Sequence, residues 1–267
     1  MLVPRIISAV IMALLFICAV FILEESSFVL AMGGVVIVAA WEWARLAGVH
    51  KAYGRLGFAL VVAVCCYLLE SFNWPRLSLY ISPLLWLLAL FWVIRYPDQL
   101  VWRHVAVRLL FGALVLLTTW SALVVLKQSD NFVVWVLVLM GLIWGADTGA
   151  YFAGRAFGRR KLARFVSPGK SWEGVFGGLL MTQCGIGLFA VMSHFTLNEW
   201  LILTLVALVT SSVSVLGDLT ESLFKRHEGL KDSSKLIPGH GGVMDRVDSL
   251  TAAAPIFVLF LILVGWL

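Results

Sequence analysis

A polytopic all-α membrane bundle of about nine transmembrane helices is the fold class that the amino-acid sequence predicts, and three observations carry it. Hydrophobic residues make up 61% of the 267 residues and charged residues only 13%, with a mean hydropathy of +0.98. A soluble domain carries roughly 25% charged residues, so this chain lacks the polar surface that water requires. Apolar runs of roughly 18–25 residues, each long enough to cross the hydrocarbon core as a helix, recur from end to end. Basic residues gather between alternate runs, as in a chain threaded back and forth through a bilayer.

The first run, Ile6–Leu23, follows Arg5 and has the outline of a secretory signal. It ends in Leu23-Glu24-Glu25 without a small-x-small cleavage site, so an uncleaved first span is expected. The second, Phe28–Leu46, carries Trp41-Glu42-Trp43 and Arg45 near its end; Glu42 is expected to snorkel or to pair with Arg45. The third, Leu56–Leu69, is short for a bilayer unless Gly57–Glu70 is all buried. Leu77–Ile94 is the fourth, and Val105–Leu126, with Arg108 expected near the interface, the fifth. The sixth, Phe132–Ala153, brings Asp147 to its end. Val175–His194, Trp200–Leu216 and Leu250–Leu267 complete the set.

Charge then orients the spans. With the N-terminus and the connections after the even-numbered spans taken as one side, all of the 20 Lys and Arg residues except Arg76 and Lys127 fall there. Positive charge marks the cytoplasmic side, so the N-terminus is expected inside and the C-terminus outside. This also accounts for the basic pI of about 9.2 without a nucleic-acid partner. Cys18, Cys65, Cys66 and Cys184 lie in apolar runs without metal-binding spacing and read as packing residues, and His50 and His194 as interfacial ones. The tryptophans read as belt or packing residues.

Most chemistry-capable residues are confined to two connections, Gly154–Gly174 and Gly217–Ser249. In Gly217-Asp-Leu-Thr-Glu-Ser-Leu-Phe-Lys-Arg226, the residues Asp218, Glu221, Ser222, Lys225 and Arg226 recur at helical spacing and much of the set shares one face. Asp245 and Asp248, three apart, project together from a second helix. Gly241 and Gly242 precede that helix and are expected to leave its first amides open to phosphate. Carboxylates interleaved with Lys225, Arg226, Lys231, Lys235 and Arg246 point to a metal–polyphosphate site, because Mg²⁺ takes a few carboxylates and completes its shell with water and phosphates. The alternative is a solvated hairpin with surface ion pairs, each worth little. Asp147 is a site residue or a helix-end carboxylate paired with a neighbour such as Arg155; an ionisable group at that depth is costly. Ser167-Pro-Gly-Lys170 reads as a turn from which Lys170 reaches a phosphate or an anionic headgroup. His240, between two glycines, is a ligand or a turn residue.

Taken together, Ser222-Leu-Phe-Lys-Arg226, Lys231-Asp232, Pro238-Gly-His-Gly-Gly242 and Asp245-Arg-Val-Asp248 resemble the signature of the phosphatidate cytidylyltransferases, or CDP-diacylglycerol synthases. Asp147-Thr-Gly-Ala-Tyr151, Gly154-Arg155 and Ser167-Pro-Gly-Lys-Ser-Trp-Glu-Gly174 are similar to that family as well. The resemblance implies CTP and phosphatidic acid as substrates, and CDP-diacylglycerol and pyrophosphate as products. It implies Mg²⁺, with a second, monovalent cation left open, and a homodimer among the lipids of the bacterial inner membrane. Asp218, Asp245 and Asp248 are the implied metal ligands, acting with Lys225 and Arg226. Asp147, Ser167, Lys170, Ser171, Glu173, Ser222, Lys231, Asp232, His240, Gly241, Gly242 and Arg246 are the expected substrate contacts. One domain, 1–267, is expected: 1–126 match the family only in general character, and 132–267 carry the catalytic residues. Three rival functions are a CTP-dependent lipid kinase, which would transfer the γ-phosphoryl group, a transporter, whose polar residues would line the midplane, and a non-catalytic scaffold, which would leave the long motif unexplained.

Overall fold

The computed structural model describes residues 2–98 and 102–267. Among these, nine spans are long and apolar enough to cross a membrane. They are formed by α1 (Leu2–Phe21), α2 (Glu25–Leu46), α3 (Ala52–Ser71), α4 with α5 (Pro75–Ser78 and Ser82–Arg95), α6 (Val105–Lys127), α7 (Phe132–Phe157), α8 (Trp172–Met192), α9 (Leu197–His227) and α10 (Met244–Leu263). The chain is therefore a helical multi-pass membrane protein. The fourth span is broken because Pro83 lacks the N–H that would continue the helix, and a single 3₁₀ turn, Leu79–Ile81, bridges the two pieces.

The third span corrects the expectation of a short segment. It runs for 20 residues because Ala52–Arg55 joins the helix, and its apolar side chains face outward instead of being buried. Burial separates centre from rim: 72% of the apolar window of α6 and 61% of that of α10 are enclosed, against 11% for α1. One core gathers Trp43, Trp92, Phe111 and Phe224. A second gathers Trp135, Leu139 and Phe257. Arg108 is not interfacial: it is buried, donates through Nε to the Ala47 carbonyl (3.1 Å), and pairs with Glu228 at 3.3 Å.

Small residues set the closest approaches. A Cβ on Gly149 would stand 2.6 Å from the Gly177 carbonyl oxygen, and one on Gly178 would stand 2.5 Å from that of Ala146, so α7 and α8 touch backbone to backbone. Gly217 similarly lets α9 lie against α10, where a Cβ would meet the Asp248 carbonyl oxygen at 2.5 Å.

The polar connections are more ordered than a pair of loops. Between α7 and α8, β1 (Lys161–Ala163) and β2 (Ser167–Ser171) pair antiparallel, with Lys161 opposite Ser171 and Ala163 opposite Ser167. The segment expected as a turn is thus a strand, and the turn lies just before it, over 164–166. Helix α9 does not stop at Leu216 but continues to His227; its 31 residues span roughly 46 Å, well beyond a hydrocarbon core of about 30 Å. Helix α10 begins at Met244, ahead of Leu250. The acidic and basic residues therefore sit on rigid helix ends.

Candidate active site

The far end of α9 supplies the central row. Asp218, Glu221, Ser222 and Lys225 share its inward face, as the spacing requires. Lys225 Nζ donates to Glu221 Oε2 at 2.6 Å and crosses to α10 to donate to Asp245 Oδ1 at 2.9 Å. Ser222 Oγ donates to Asp218 Oδ1 at 3.2 Å. From β2, Lys170 forms an ion pair with Asp218 at 2.6 Å and reaches towards the Val215 carbonyl (3.5 Å). Asp248, one turn along α10 from Asp245, lies within electrostatic reach of Asp218 and Glu221. Asp147 of α7 stands within reach of Lys170 and Asp218, so its partner is not Arg155, which instead bonds the Tyr151 hydroxyl at 3.0 Å. Together with Tyr151, Gly154, Lys170 and Ser171, Asp147 lines a cavity of about 380 Å³.

Charge balance shows what this row can hold. Asp218, Glu221, Asp245 and Asp248 carry four negative charges when ionised, and Lys170 and Lys225 return two. Glu221 is 1% exposed, and its Oε1 has no hydrogen-bond partner. With Asp147 also within reach of Lys170 and Asp218, the carboxylates outnumber the lysines, and a buried carboxylate oxygen without a partner fits a cation. Among the described residues no three acidic, His or Cys side chains converge as a ready cage.

Several expected contacts have other duties. The amides before α10 are not open: Gly242 N–H donates to Asp245 Oδ2 at 2.8 Å, and those of Val243 and Met244 donate to Glu42 at 3.1 and 2.7 Å. The phosphate site expected at that helix end is therefore already filled by carboxylates. Gly241, at φ +85°, makes the turn that Gly242 continues. His240 is a turn residue whose Nδ1 lies 2.7 Å from Ser8 Oγ of α1. Ser171 caps α8 by accepting from the Gly174 N–H, and Glu173 accepts from the Arg159 and Arg160 amides, tying down the approach to β1. Ser167 starts β2 beside Val166, whose carbonyl accepts from Arg226 Nε at 3.4 Å; Arg226 thus points away from the acidic row. Lys231, Asp232 and Arg246 are exposed along the connection and on the outer side of α10.

Two residues named in the sequence analysis were not counted among the expected site residues. Glu221 shares the helical face but was not among the expected site residues; its i,i+4 relation to Lys225 was the available signal. Glu42 is fully buried rather than snorkelling, and Arg45 donates to the Ser233 carbonyl at 3.0 Å rather than pairing with it. The signal was a carboxylate inside an apolar span, which needs partners to be tolerated there.

Comparison with known proteins bears out the family resemblance. A model of the cytidylyltransferase family matches residues 3–264. The phosphatidate cytidylyltransferase of Pseudomonas aeruginosa is 46% identical over 270 residues, covering 100% of this chain and 99% of its own. That of Haemophilus influenzae is 40% identical over 283 residues, covering 97% and 98%. That of Staphylococcus epidermidis is 46% identical over 131 residues, covering 48% and 49%. Because the family match and the first two alignments run nearly end to end, they take in the apolar spans together with the row of carboxylates and lysines, and the chain belongs to the cytidylyltransferase family.

Proposed function

We propose that this protein is a phosphatidate cytidylyltransferase, joining the cytidylyl group of CTP to phosphatidic acid with release of pyrophosphate. The observation that carries this reading is the row of interleaved carboxylates and lysines on the ends of α9, α10 and β2, in a chain alike over its full length to enzymes of that name.

A phosphate oxygen of phosphatidate attacks the α-phosphorus of CTP. The new P–O bond forms as the bond from the α-phosphorus to the bridging oxygen of pyrophosphate breaks. A phosphomonoester has a second pKa of about 6, so its oxygen is already ionised at neutral pH and needs no strong base. The difficulty is the meeting of two anions. Lys170 and Lys225 face that charge from a partly enclosed setting, where their attraction is weakly screened. Asp147 and Lys170 line the cavity against α8 where a headgroup can be met without drawing acyl chains out of the bilayer, each CH₂ being worth roughly 0.8 kcal/mol. Asp218, Asp245 and Asp248 would offer carboxylates to Mg²⁺, whose shell water and the CTP phosphates would complete, and the proposal includes a second, monovalent cation beside it. Mg²⁺ supplies charge neutralisation of the leaving pyrophosphate.

The proposal includes a homodimer in a bacterial inner membrane, with the α9–α10 connection cytoplasmic and the C-terminus periplasmic, as the distribution of Lys and Arg supports. Purified protein supplied with Mg²⁺, phosphatidate and CTP labelled at its α-phosphate should yield labelled CDP-diacylglycerol and lose activity on chelation. Transfer of a γ-label to lipid would instead mark the kinase.

A further inference from the structure

The carboxylate of Glu42 comes from α2, some two hundred residues before the C-terminal signature, yet it makes three hydrogen bonds within it and touches a fourth group there. Its Oε1 accepts from Ser234 Oγ (2.6 Å) and from the Val243 N–H (3.1 Å). Its Oε2 accepts from the Met244 N–H (2.7 Å) and lies 3.2 Å from Ser233 Oγ. Val243 has no side-chain cap of its own, so Glu42 closes α10 from another helix. One turn later Arg45 grips the Ser233 carbonyl at 3.0 Å. Ser233 in turn donates to Asp245 Oδ2 through both its N–H (2.9 Å) and its Oγ–H (2.8 Å). The chain of contacts thus runs from α2 through Ser233 to Asp245 and on to Lys225. No space is spare: a Cβ on Gly242 would collide with Ser233 Oγ and stand 2.5 Å from Glu42 Oε1.

We infer that Glu42 is a positioning residue for the reaction: by closing the N-terminus of α10 and holding Ser233, it sets Asp245 and Asp248 at the place where the divalent cation and the CTP phosphates are met. The inference rests on the proposed function, since it assigns Glu42 a part in that same site. The position demands a carboxylate. A Gln has one acceptor oxygen and one NH₂, and the Val243 and Met244 amides address different oxygens of Glu42. Whichever way a Gln lies, its NH₂ faces an N–H donor. An Asp keeps both acceptors but is one methylene too short to reach without a shift of α10.

The test compares wild-type protein with Glu42→Gln, Glu42→Asp and Ser234→Ala in detergent, per folded molecule. In Glu42→Gln the Mg²⁺ concentration for half-maximal turnover rises roughly fivefold or more, the effect of losing about one hydrogen bond at the latch, while the KM for phosphatidate stays within about twofold. Glu42→Asp recovers part of that shift, and Ser234→Ala, which removes one donor and keeps the amide contacts, shows a smaller one. Two further readouts do not need turnover: faster amide hydrogen exchange at 242–245, and a smaller thermal stabilisation by Mg²⁺. Where Glu42→Gln does not accumulate, Ser234→Ala and Glu42→Asp read the same quantities. Unchanged Mg²⁺ dependence with unchanged exchange at 242–245 overturns the inference, as does a lowered melting temperature with normal Mg²⁺ dependence. Failure of the wild-type protein to turn over CTP and phosphatidate counts against the proposed function alone, because exchange and Mg²⁺ stabilisation still decide the role of Glu42.

Discussion

Lys225 is the residue on which the site turns. Among the described residues it is the one cation paired with carboxylates of both α9 and α10, and these two partners hold its ammonium group at a fixed place. Asp245 is equally constrained, with Lys225 on one oxygen and Ser233 and Gly242 on the other. Asp245→Asn must turn an NH₂ towards one of these donor sets, so both stability and turnover should fall. Activity per folded molecule separates the two effects. With Asp245 as the proposed metal ligand, its loss costs several kcal/mol at the transition state, and each 1.36 kcal/mol is about tenfold, so a drop of roughly a hundredfold or more is expected. A loss within a few fold, at every Mg²⁺ concentration, would remove Asp245 from the catalytic set. Arg76→Ala is the suitable control because Arg76 is exposed, whereas Lys127 bonds the Leu23 carbonyl at 2.7 Å and is part of the packing.

Helices place the charged residues, and two close contacts decide how well. The α7–α8 seam carries Asp147 on one side and leads into β2 with Lys170 on the other. Gly149→Ala would press a methyl against the Gly177 carbonyl and Gly178 Cα at 2.6 and 2.9 Å, both backbone atoms that cannot step aside. Overpacking of this kind costs about 1–3 kcal/mol, so a lower melting temperature is expected, together with a weaker response to CTP as Lys170 and Asp147 part. Gly141→Ala on the same helix meets nothing within 4 Å and should be neutral or stabilising by up to about 1 kcal/mol. Thermal unfolding of the two variants side by side checks the prediction; equal melting temperatures would mean that the seam tolerates separation.

For the whole molecule, the nine spans among the described residues and the distribution of Lys and Arg carry the proposed orientation, with the termini on opposite sides of the membrane. An impermeant thiol reagent applied to intact cells should leave Lys235→Cys unlabelled and label Arg76→Cys, in a background without the native cysteines. Lys235 is the right probe because it is exposed, whereas Ser233, two residues earlier, is buried against Glu42 and Asp245. Labelling of Lys235→Cys from outside would reverse the orientation and place the acidic row away from cytoplasmic CTP. The molecule's outer helices, α1 and α3, present apolar residues around their rims, consistent with lipid contact on those faces.

The number and type of spans were legible in the sequence because hydrocarbon tolerates only a backbone that satisfies its own hydrogen bonds, and apolar length reports that directly. The grouping of Asp218 with Lys225 and of Asp245 with Asp248 was legible too, because helical periodicity puts residues three, four and seven apart on one face. Period alone carries no information between elements. That Lys170 from β2 meets Asp218, that Lys225 crosses to Asp245, and that Arg226 turns away to Val166 follow from where the hairpin and α9 pack. The amides ahead of α10 looked free because a helix end advertises its unpaired donors in sequence but not its acceptor. The acceptor is Glu42, some two hundred residues earlier, and only the packing of α2 against the 233–244 segment brings that carboxylate within hydrogen-bond distance.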